Sequence, residues 1–466
     1  MTLNLEEWTS EATAINFVDK DSWESYCRGA PQSLVAHAHF TGFEAKPGTV
    51  FFAPQTECQS AEVFFGVASG PAAKDADPFI AGKLFSLLPK GLYRLGEGVD
   101  HPDQAALAFL LSSYSYAHTA RSTEDKPRLC APQALDVTNV LRIADAIHFG
   151  RRLVNTPAND MGPDSLAEEA CRVAEKYGAT PAVILGDDLI THNFPLIHAV
   201  GRAAAQAPRL IDFHHGPLNG IKITLVGKGV CFDSGGLNIK PSSAMQLMKK
   251  DMGGAATALA LATMIMDSNL PIRLRVLLPI VENSISANAF RPGDIYKSRK
   301  GLSVEVGDTD AEGRLILADA LAYACEESPD LLLDFATLTG AARVALGPEI
   351  PPFYTGDCLL AAEIAAHAAK THDPLWRMPL WDNYDKSLDG KNCDLVSVTS
   401  GGFSGSIIAA LFLRRFVSDP KRWAHFDVYC WNPVTRPAFP QGGEVQAVRA
   451  LFSLLEERAK NWKSKE

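Results

Sequence analysis

Ile221-Lys-Ile-Thr-Leu-Val-Gly-Lys-Gly-Val-Cys-Phe-Asp-Ser-Gly-Gly236 opens on an apolar run and closes in a glycine-rich turn. Ile221 to Val226 reads as a buried strand. Asn238-Ile-Lys-Pro241 follows, then Met248-Lys-Lys-Asp-Met-Gly-Gly-Ala-Ala256, with Gly254 to Met266 reading as a helix and Ile272 to Val281 as a second buried strand. Strand, loop, helix and strand in this order build a sheet flanked by helices. Further along, Gly313 to Glu326 predicts another helix, Leu331-Leu-Leu-Asp-Phe-Ala336 another buried strand, and Val445 to Glu457 a closing helix.

Upstream the pattern changes. Residues 1 to about 120 mix short strand-like pieces, Ser33-Leu-Val-Ala-His-Ala38 and Ala61-Glu-Val-Phe-Phe-Gly-Val67, with helical stretches such as Gln104-Ala-Ala-Leu-Ala-Phe-Leu-Leu111, which predicts a compact α/β unit. The segment Arg121-Ser-Thr-Glu-Asp-Lys-Pro-Arg128 is charged and non-periodic, and it precedes the amphipathic Val140-Leu-Arg-Ile-Ala-Asp-Ala-Ile-His-Phe-Gly150. Domains are therefore expected over 1–125 and 140–466, joined by a linker at 126–139. Two domains also suit a chain of 466 residues, because single cores stop growing near roughly 250–300 residues.

Hydrophobic residues make up 47% of the chain and charged residues 21%, a globular composition that excludes the disordered and fibrous classes. No apolar run reaches the roughly 18 residues of a membrane span. Met1-Thr-Leu-Asn-Leu-Glu-Glu-Trp8 lacks the basic head and apolar stretch of a secretory signal. The 9 cysteines, Cys27, Cys58, Cys130, Cys231 and Cys393 among them, are scattered without a CxxC pair, which points to a reducing compartment and away from zinc–thiolate sites. A cytoplasmic location is the expectation. The net charge of −10 weighs against nucleic acid as a partner. The histidines, His214 and His215 included, show no HExxH spacing and read as structural.

Two stretches carry chemistry. The first places Lys228, Asp233, Lys240 and Asp251 in one strand–loop–helix passage, where loops at strand ends commonly hold function. Its glycines alone would be a tight connection, and no phosphate-loop pattern is present. The second, Val304-Glu-Val-Gly-Asp-Thr-Asp-Ala-Glu-Gly-Arg-Leu315, crowds Asp308, Asp310 and Glu312 before a helix. Acidic residues there ordinarily cap the helix and face its dipole. Three carboxylates this close also repel unless a cation sits among them, and oxygen-rich sets suit Zn, Mn or Mg. Composition and spacing leave both readings open.

The two stretches together resemble the signatures of the leucyl aminopeptidase family, a VGKG-x-x-FDSGG…K…MK-x-DM-x-G-A-A passage followed at the family's spacing by NTDAEGRL. Similarity extends to Leu153-Val-Asn-Thr-Pro-Ala-Asn-Asp-Met161 and Ala336-Thr-Leu-Thr-Gly-Ala341, and covers most of residues 140 to 455. The resemblance implies a small N-terminal α/β, macro-like domain and a larger C-terminal α/β catalytic domain with a mixed central sheet flanked by helices. It implies a two-metal aminopeptidase acting on peptides with a free N-terminus, with Zn or Mn, or else Mg, as the metals. Asp233 and Glu312 would bridge them, Asp310 would complete one site, and Lys228 with Asp251 the other. A lysine ligand must be neutral, and burial and adjacent dications both favour that. Lys240 would polarise the scissile carbonyl, and Arg314 would hold a bicarbonate that acts as general base. Met248 and Thr337 would line the pocket for the first side chain, with the backbone around Leu338 and Gly340 along the peptide. A homohexamer is implied as well.

The chain departs from the family at two places. Asp308 stands where Asn is usual, adding negative charge beside the metals and the substrate. The family's small-residue passage near the C-terminus is replaced by Asp427-Val-Tyr-Cys-Trp-Asn-Pro433 and Gly442-Gly-Glu-Val-Gln-Ala-Val448, so the resemblance does not fix the preferred first residue as leucine. The rival readings are a dipeptidase or Cys-Gly peptidase, differing only in the pocket, and a metal-binding regulatory or DNA-binding scaffold without turnover.

Overall fold

The computed structural model describes residues 3–54, 62–69, 76–116, 126–133 and 135–462. The chain divides into two compact units, one of residues 1–148 with 434–441, the other of residues 149–433 with 442–466. In the first unit a five-stranded sheet runs in the order Val50–Phe52, Glu62–Gly66, Thr13–Val18, Gly91–Leu95, Pro127–Leu129. Its pairs are parallel apart from the antiparallel edge strand Val50–Phe52. Trp23 packs edge-on against Phe43, Phe51 and Phe64 to fill one face.

Two sequence expectations for this unit need correction. Ser33–Ala38 is not a strand; it belongs to the helix Gln32–Thr41, which follows Pro31 and ends on the left-handed Gly42. Its buried residues are Leu34 and Ala38, one helical turn apart, a spacing that a short apolar run also permits for a strand. The expected linker at 126–139 contains the strand Pro127–Leu129 and the start of the helix Val137–Asn155. Residues 121–125 of the charged segment, together with Cys58 and Ala61, lie outside the described residues.

The second unit is built on a mixed sheet of nine strands among the described residues. Its centre is parallel: Trp423–Asp427, Leu331–Ala336, Ile221–Gly227 and Ile272–Asn283 lie side by side, and Gly229–Asp233 continues alongside Ile272–Asn283. Antiparallel strands flank it, Arg209–His215 on one side and Pro352–Tyr354 on the other. On one face Val226, Leu277 and Leu332 share a core with Leu315 and Ile316 of the helix Glu312–Cys325 and with Leu411 and Phe412. The pleat turns neighbouring side chains to the opposite face, where the helix Gly253–Asp267 lies on the same strands. That helix is buried along almost its whole length, as a helix apolar all round must be. The closing helix runs Val448–Lys460 rather than from Val445, because Gly442–Gly443 pairs with Trp431–Asn432 and Ala447 takes a left-handed conformation before the helix starts.

Every strand of the parallel centre ends at the same edge of the sheet, the edge at which α/β folds bind ligands. Close approach of backbone there requires glycine. A Cβ on Gly254 would lie 2.2 Å from the carbonyl oxygen of Phe335 and 2.9 Å from the amide nitrogen of Lys228. Gly254→Ala is therefore expected to lower stability by about 1–3 kcal/mol, the usual range for overpacking, measured as a fall in the denaturation midpoint. An unchanged midpoint would show that the helix and strand can separate without loss.

Candidate metal centre

The strand edge gathers the acidic residues. Lys228 directly follows the strand Ile221–Gly227, and its backbone is clamped on both sides: its amide donates to Phe335 O at 2.9 Å and its carbonyl accepts from Ala255 N at 2.8 Å. That aims a buried side chain between two carboxylates, with Nζ 2.8 Å from Asp251 Oδ2 and 2.9 Å from Glu312 Oε1. Asp251 lies in the 3₁₀ turn Met248–Met252 that leads into the helix Gly253–Asp267. Asp233 ends the strand Gly229–Asp233. Glu312 begins the helix Glu312–Cys325, so its carboxylate sits at the positive end of the helix dipole.

The loops are stitched together by uncharged residues. Asn283, fully buried at the end of the strand Ile272–Asn283, donates from Nδ2 to Asp233 Oδ1 at 2.8 Å and to Thr309 O at 3.0 Å. Thr309 Oγ1 donates to Gly235 O at 2.6 Å and accepts from Asn238 N at 2.8 Å, while Asn238 Oδ1 accepts from Thr309 N at 2.9 Å. Gly235 and Gly236 turn the chain between them at φ 87° and 64°, in the region where glycine alone is unstrained. Asp308 accepts from Asp310 N at 2.9 Å and caps the 3₁₀ turn Thr309–Ala311, so the capping role of acidic residues holds for this one.

Asp233, Asp310 and Glu312 each offer an oxygen, all within 4.8 Å of one another. Lys240 reaches from the loop to two of them, with Nζ 2.8 Å from Asp233 Oδ2 and 2.5 Å from Asp310 Oδ1. Four carboxylates thus share a largely buried space with two ammonium groups. The imbalance is felt by the acids. Asp310 is pushed up to about 6 by burial and then by the charge of Asp233. Glu312 is raised well above the usual carboxylate range, by burial first and Asp233 next. Of the two buried oxygens of Glu312, Oε1 meets only the Lys228 ammonium and Oε2 has no hydrogen-bond donor among the described residues. Hard oxygen donors that lack partners and crowd one another are what a divalent cation accepts, and this donor set fits one.

The neutral lysine expected at position 228 is not what the protein's own charges favour. Burial opposes the ammonium, yet Asp251, Glu312 and Asp233 outweigh it and hold the group above its ordinary value. A neutral amine would need further positive charge among those carboxylates. Asp251 is held low: burial raises it, and Lys228 and Lys250 more than offset this.

Thr337 supports Asp251 directly, its hydroxyl donating to Oδ1 at 2.7 Å while its carbonyl accepts from Lys228 Nζ at 3.2 Å. The Leu338 amide is committed to Asp427 Oδ1 at 3.0 Å, as is that of Thr339. Met248 is half-buried at the start of the turn carrying Asp251, and Gly340 is exposed in the loop after the strand Leu331–Ala336. Arg314 is buried, donates from Nη1 to Ser397 O at 2.7 Å, and leaves Nε without an acceptor among the described residues. Burial lowers its pKa to about 10. The sequence reading passed over Asn283, Thr309 and Asp427; their one signal was a polar residue at the end of an apolar strand or beside the acidic motif. It also passed over the buried pair His425–Asp334, joined at 2.6 Å, with Trp423 Nε1 donating to the same carboxylate. His214 pairs with Glu327 and takes no part in the acidic cluster.

The model described as "Cytosol aminopeptidase family, catalytic domain" matches residues 148–452, and that described as "M17 aminopeptidase, N-terminal domain" matches residues 13–132. The chain belongs to the cytosol aminopeptidase family. A crystal structure of cytosol aminopeptidase from Coxiella burnetii is 41% identical with a TM-score of 0.92, covering 98% of this chain and 99% of that one. The bottromycin maturation enzyme BotP in complex with Mn is 31% identical with a TM-score of 0.86, covering 97% of this chain and 100% of that one. A Chlamydia abortus relative, named a probable cytosol aminopeptidase, is 39% identical over 321 residues, 67% of this chain and 64% of that protein. The match therefore spans slightly less than two thirds of that relative's length.

Two outcomes test the centre. Asn283→Ala removes the donor that orients Asp233, and divalent-metal affinity measured by calorimetry is expected to fall about 10–100-fold, as for other residues that orient ligands; unchanged affinity would make Asn283 a packing residue only. A cation bound at Asp310 would compete with a proton, since burial and Asp233 push that carboxyl up to about 6. Metal uptake by stripped protein should hold above that pH and weaken as pH falls through it, read from binding isotherms at pH 5 to 7.5. A flat profile would remove Asp310 from the ligand set.

Proposed function

We propose that this chain is a metal-dependent aminopeptidase that hydrolyses the N-terminal residue from peptides. The observation that carries the reading is the meeting of Asp233, Asp310 and Glu312 at the strand edge, their oxygens within 4.8 Å of one another, in a chain of this family. Two divalent cations, Zn or Mn with Mg as a further option, would be held by Asp233 and Glu312 between them, by Asp310 on one side and by Lys228 and Asp251 on the other. Bound there, they would supply an activated water and Lewis-acid polarisation of the peptide carbonyl.

The chain's own residues do the rest. Lys240 brings a charged donor to the mouth of the cluster, where it can stabilise negative charge developing on the carbonyl oxygen. Arg314, buried with Nε lacking an acceptor, is the group that would hold the bicarbonate expected as general base. Asp251, fixed by Thr337, offers a carboxylate to the substrate's α-amine, which limits cleavage to the first residue. Met248 would border the first side chain, and Asp308, Leu338 and Gly340 the peptide beyond it. Cytoplasmic location and a homohexamer belong to the same reading. The names of the relatives support the first and family membership the second; among the described residues no helix is long and apolar enough to cross a membrane.

The test is release of amino acids from dipeptides and aminoacyl anilides by metal-stripped protein titrated with Mn and Zn, with N-acetylated substrates as controls. Metal-dependent cleavage confined to free amino termini is expected, and Glu312→Gln is expected to abolish it while leaving the folded circular-dichroism spectrum intact. Metal bound without turnover on any substrate would turn the reading to a scaffold, and full activity in Glu312→Gln would remove Glu312 from the reacting centre.

A further inference from the structure

The passage that departs from the family supplies Tyr429, and the structure places two cations against its ring. Arg343 stacks on it with Cζ 4.1 Å from the centroid, and the Lys250 ammonium lies 5.2 Å from the same centroid. Lys250 is 4% exposed. It precedes Asp251 in the turn that begins at Met248. Arg343 Nη2 lies 2.9 Å from the position a Cβ on Gly340 would occupy, so its guanidinium borders the Thr337–Gly340 segment. The two cations thus flank one ring between the two segments assigned to the substrate. Among the described residues, neither has an ion-pair partner within 4.0 Å.

A buried cation ordinarily has a carboxylate partner, because removing charge from water costs several kcal/mol unless it is paired. Arg151 with Glu444, Arg275 with Asp212, and Lys228 with Asp251 and Glu312 obey that rule, whereas Arg314, the group assigned above to hold an anion, donates only to the Ser397 carbonyl. Lys250 feels the charge of Asp251, which already pairs with Lys228, and otherwise faces a ring and a second cation. A phenol face attracts both cations, but it carries no negative charge to separate them. An anion placed beside the ring would supply it.

We propose that Lys250 and Arg343 form a basic wall of the pocket for the first side chain, and that this aminopeptidase prefers peptides beginning with an acidic residue, glutamate or aspartate. The side-chain carboxylate would pair with Lys250 and Arg343 while the α-amine lies by Asp251. Tyr429 occupies the space where the family has small residues and shortens the apolar part of the pocket, which disfavours large aliphatic side chains. The proposal rests on the aminopeptidase reading and goes further by naming the substrate class.

The test compares kcat/KM of the metal-loaded protein on dipeptides that differ only in the first residue: Glu, Gln, Asp, Asn and Leu. Gln and Asn match the acids in shape and lack the charge, so Glu should exceed Gln, and Asp exceed Asn, by at least about tenfold, the scale of one charge-assisted hydrogen bond. Arg343→Met at its half-exposed site and Lys250→Met should each collapse that ratio towards one, while Lys250→Arg, which keeps the charge, should retain most of it. A Glu-to-Gln ratio at or below one in the unaltered protein, with Leu or Gln peptides cleaved, overturns the basic pocket and leaves the aminopeptidase reading standing. So does a high ratio that survives Arg343→Met and Lys250→Met in folded protein. Absence of cleavage of every peptide with any metal overturns both.

Discussion

Like-charge repulsion among Asp233, Asp251, Asp310 and Glu312 is the force the catalytic unit is organised around. Four carboxylates placed in a buried space would drive the loops apart in water. The fold holds them with two lysines, two helix starts and a set of backbone clamps. Lys228 and Lys240 each bridge a pair of the acids, which leaves an excess of negative charge. That excess shows in the raised pKa values of Asp310 and Glu312. It is also the property a divalent cation would exploit, so the same repulsion that burdens folding makes the site receptive.

Rigidity around this cluster comes from residues outside it, most of them uncharged. Asn283 joins two strand ends, and Thr309 and Asn238 lace the glycine-rich loop to the acidic loop through three hydrogen bonds of 2.6–2.9 Å. Thr337 and Asp427 do the same on the other side, one holding Asp251 and the other the amides of Leu338 and Thr339. In a region of low dielectric such bonds are stronger than in water, and leaving one unmade is costly. The acidic side chains therefore sit on strand and helix ends whose positions are set from several directions, as a reacting centre requires.

The substrate side follows a different logic. The acidic cluster is partly offset by lysines that touch it, whereas Lys250 and Arg343 share the ring of Tyr429. Negative and positive surfaces thus stand side by side at one strand edge. On the proposal of an acidic first residue, a substrate with an amine at one end of that residue and a carboxylate at the other would be complementary to both.

From the sequence alone, the order of the elements in the second unit and the identity of the acidic cluster were legible. Ile221–Gly227, Ile272–Asn283, Leu331–Ala336 and the helices between them stand within a few residues of their expected places, because buried strands and helices announce themselves through local apolar runs. Lys228, Asp233, Lys240, Asp251, Asp310 and Glu312 were legible because they sit in two dense motifs, and the structure brings all six together. Ser33–Ala38 was misread since a short apolar run has no period long enough to separate strand from helix. The protonation favoured at Lys228, the bracing by Asn283, Thr309 and Asp427, and the sharing of Tyr429 by Lys250 and Arg343 were decided only by tertiary structure. Each depends on residues distant in sequence that meet where parallel strands end, and no local pattern encodes which strand ends become neighbours.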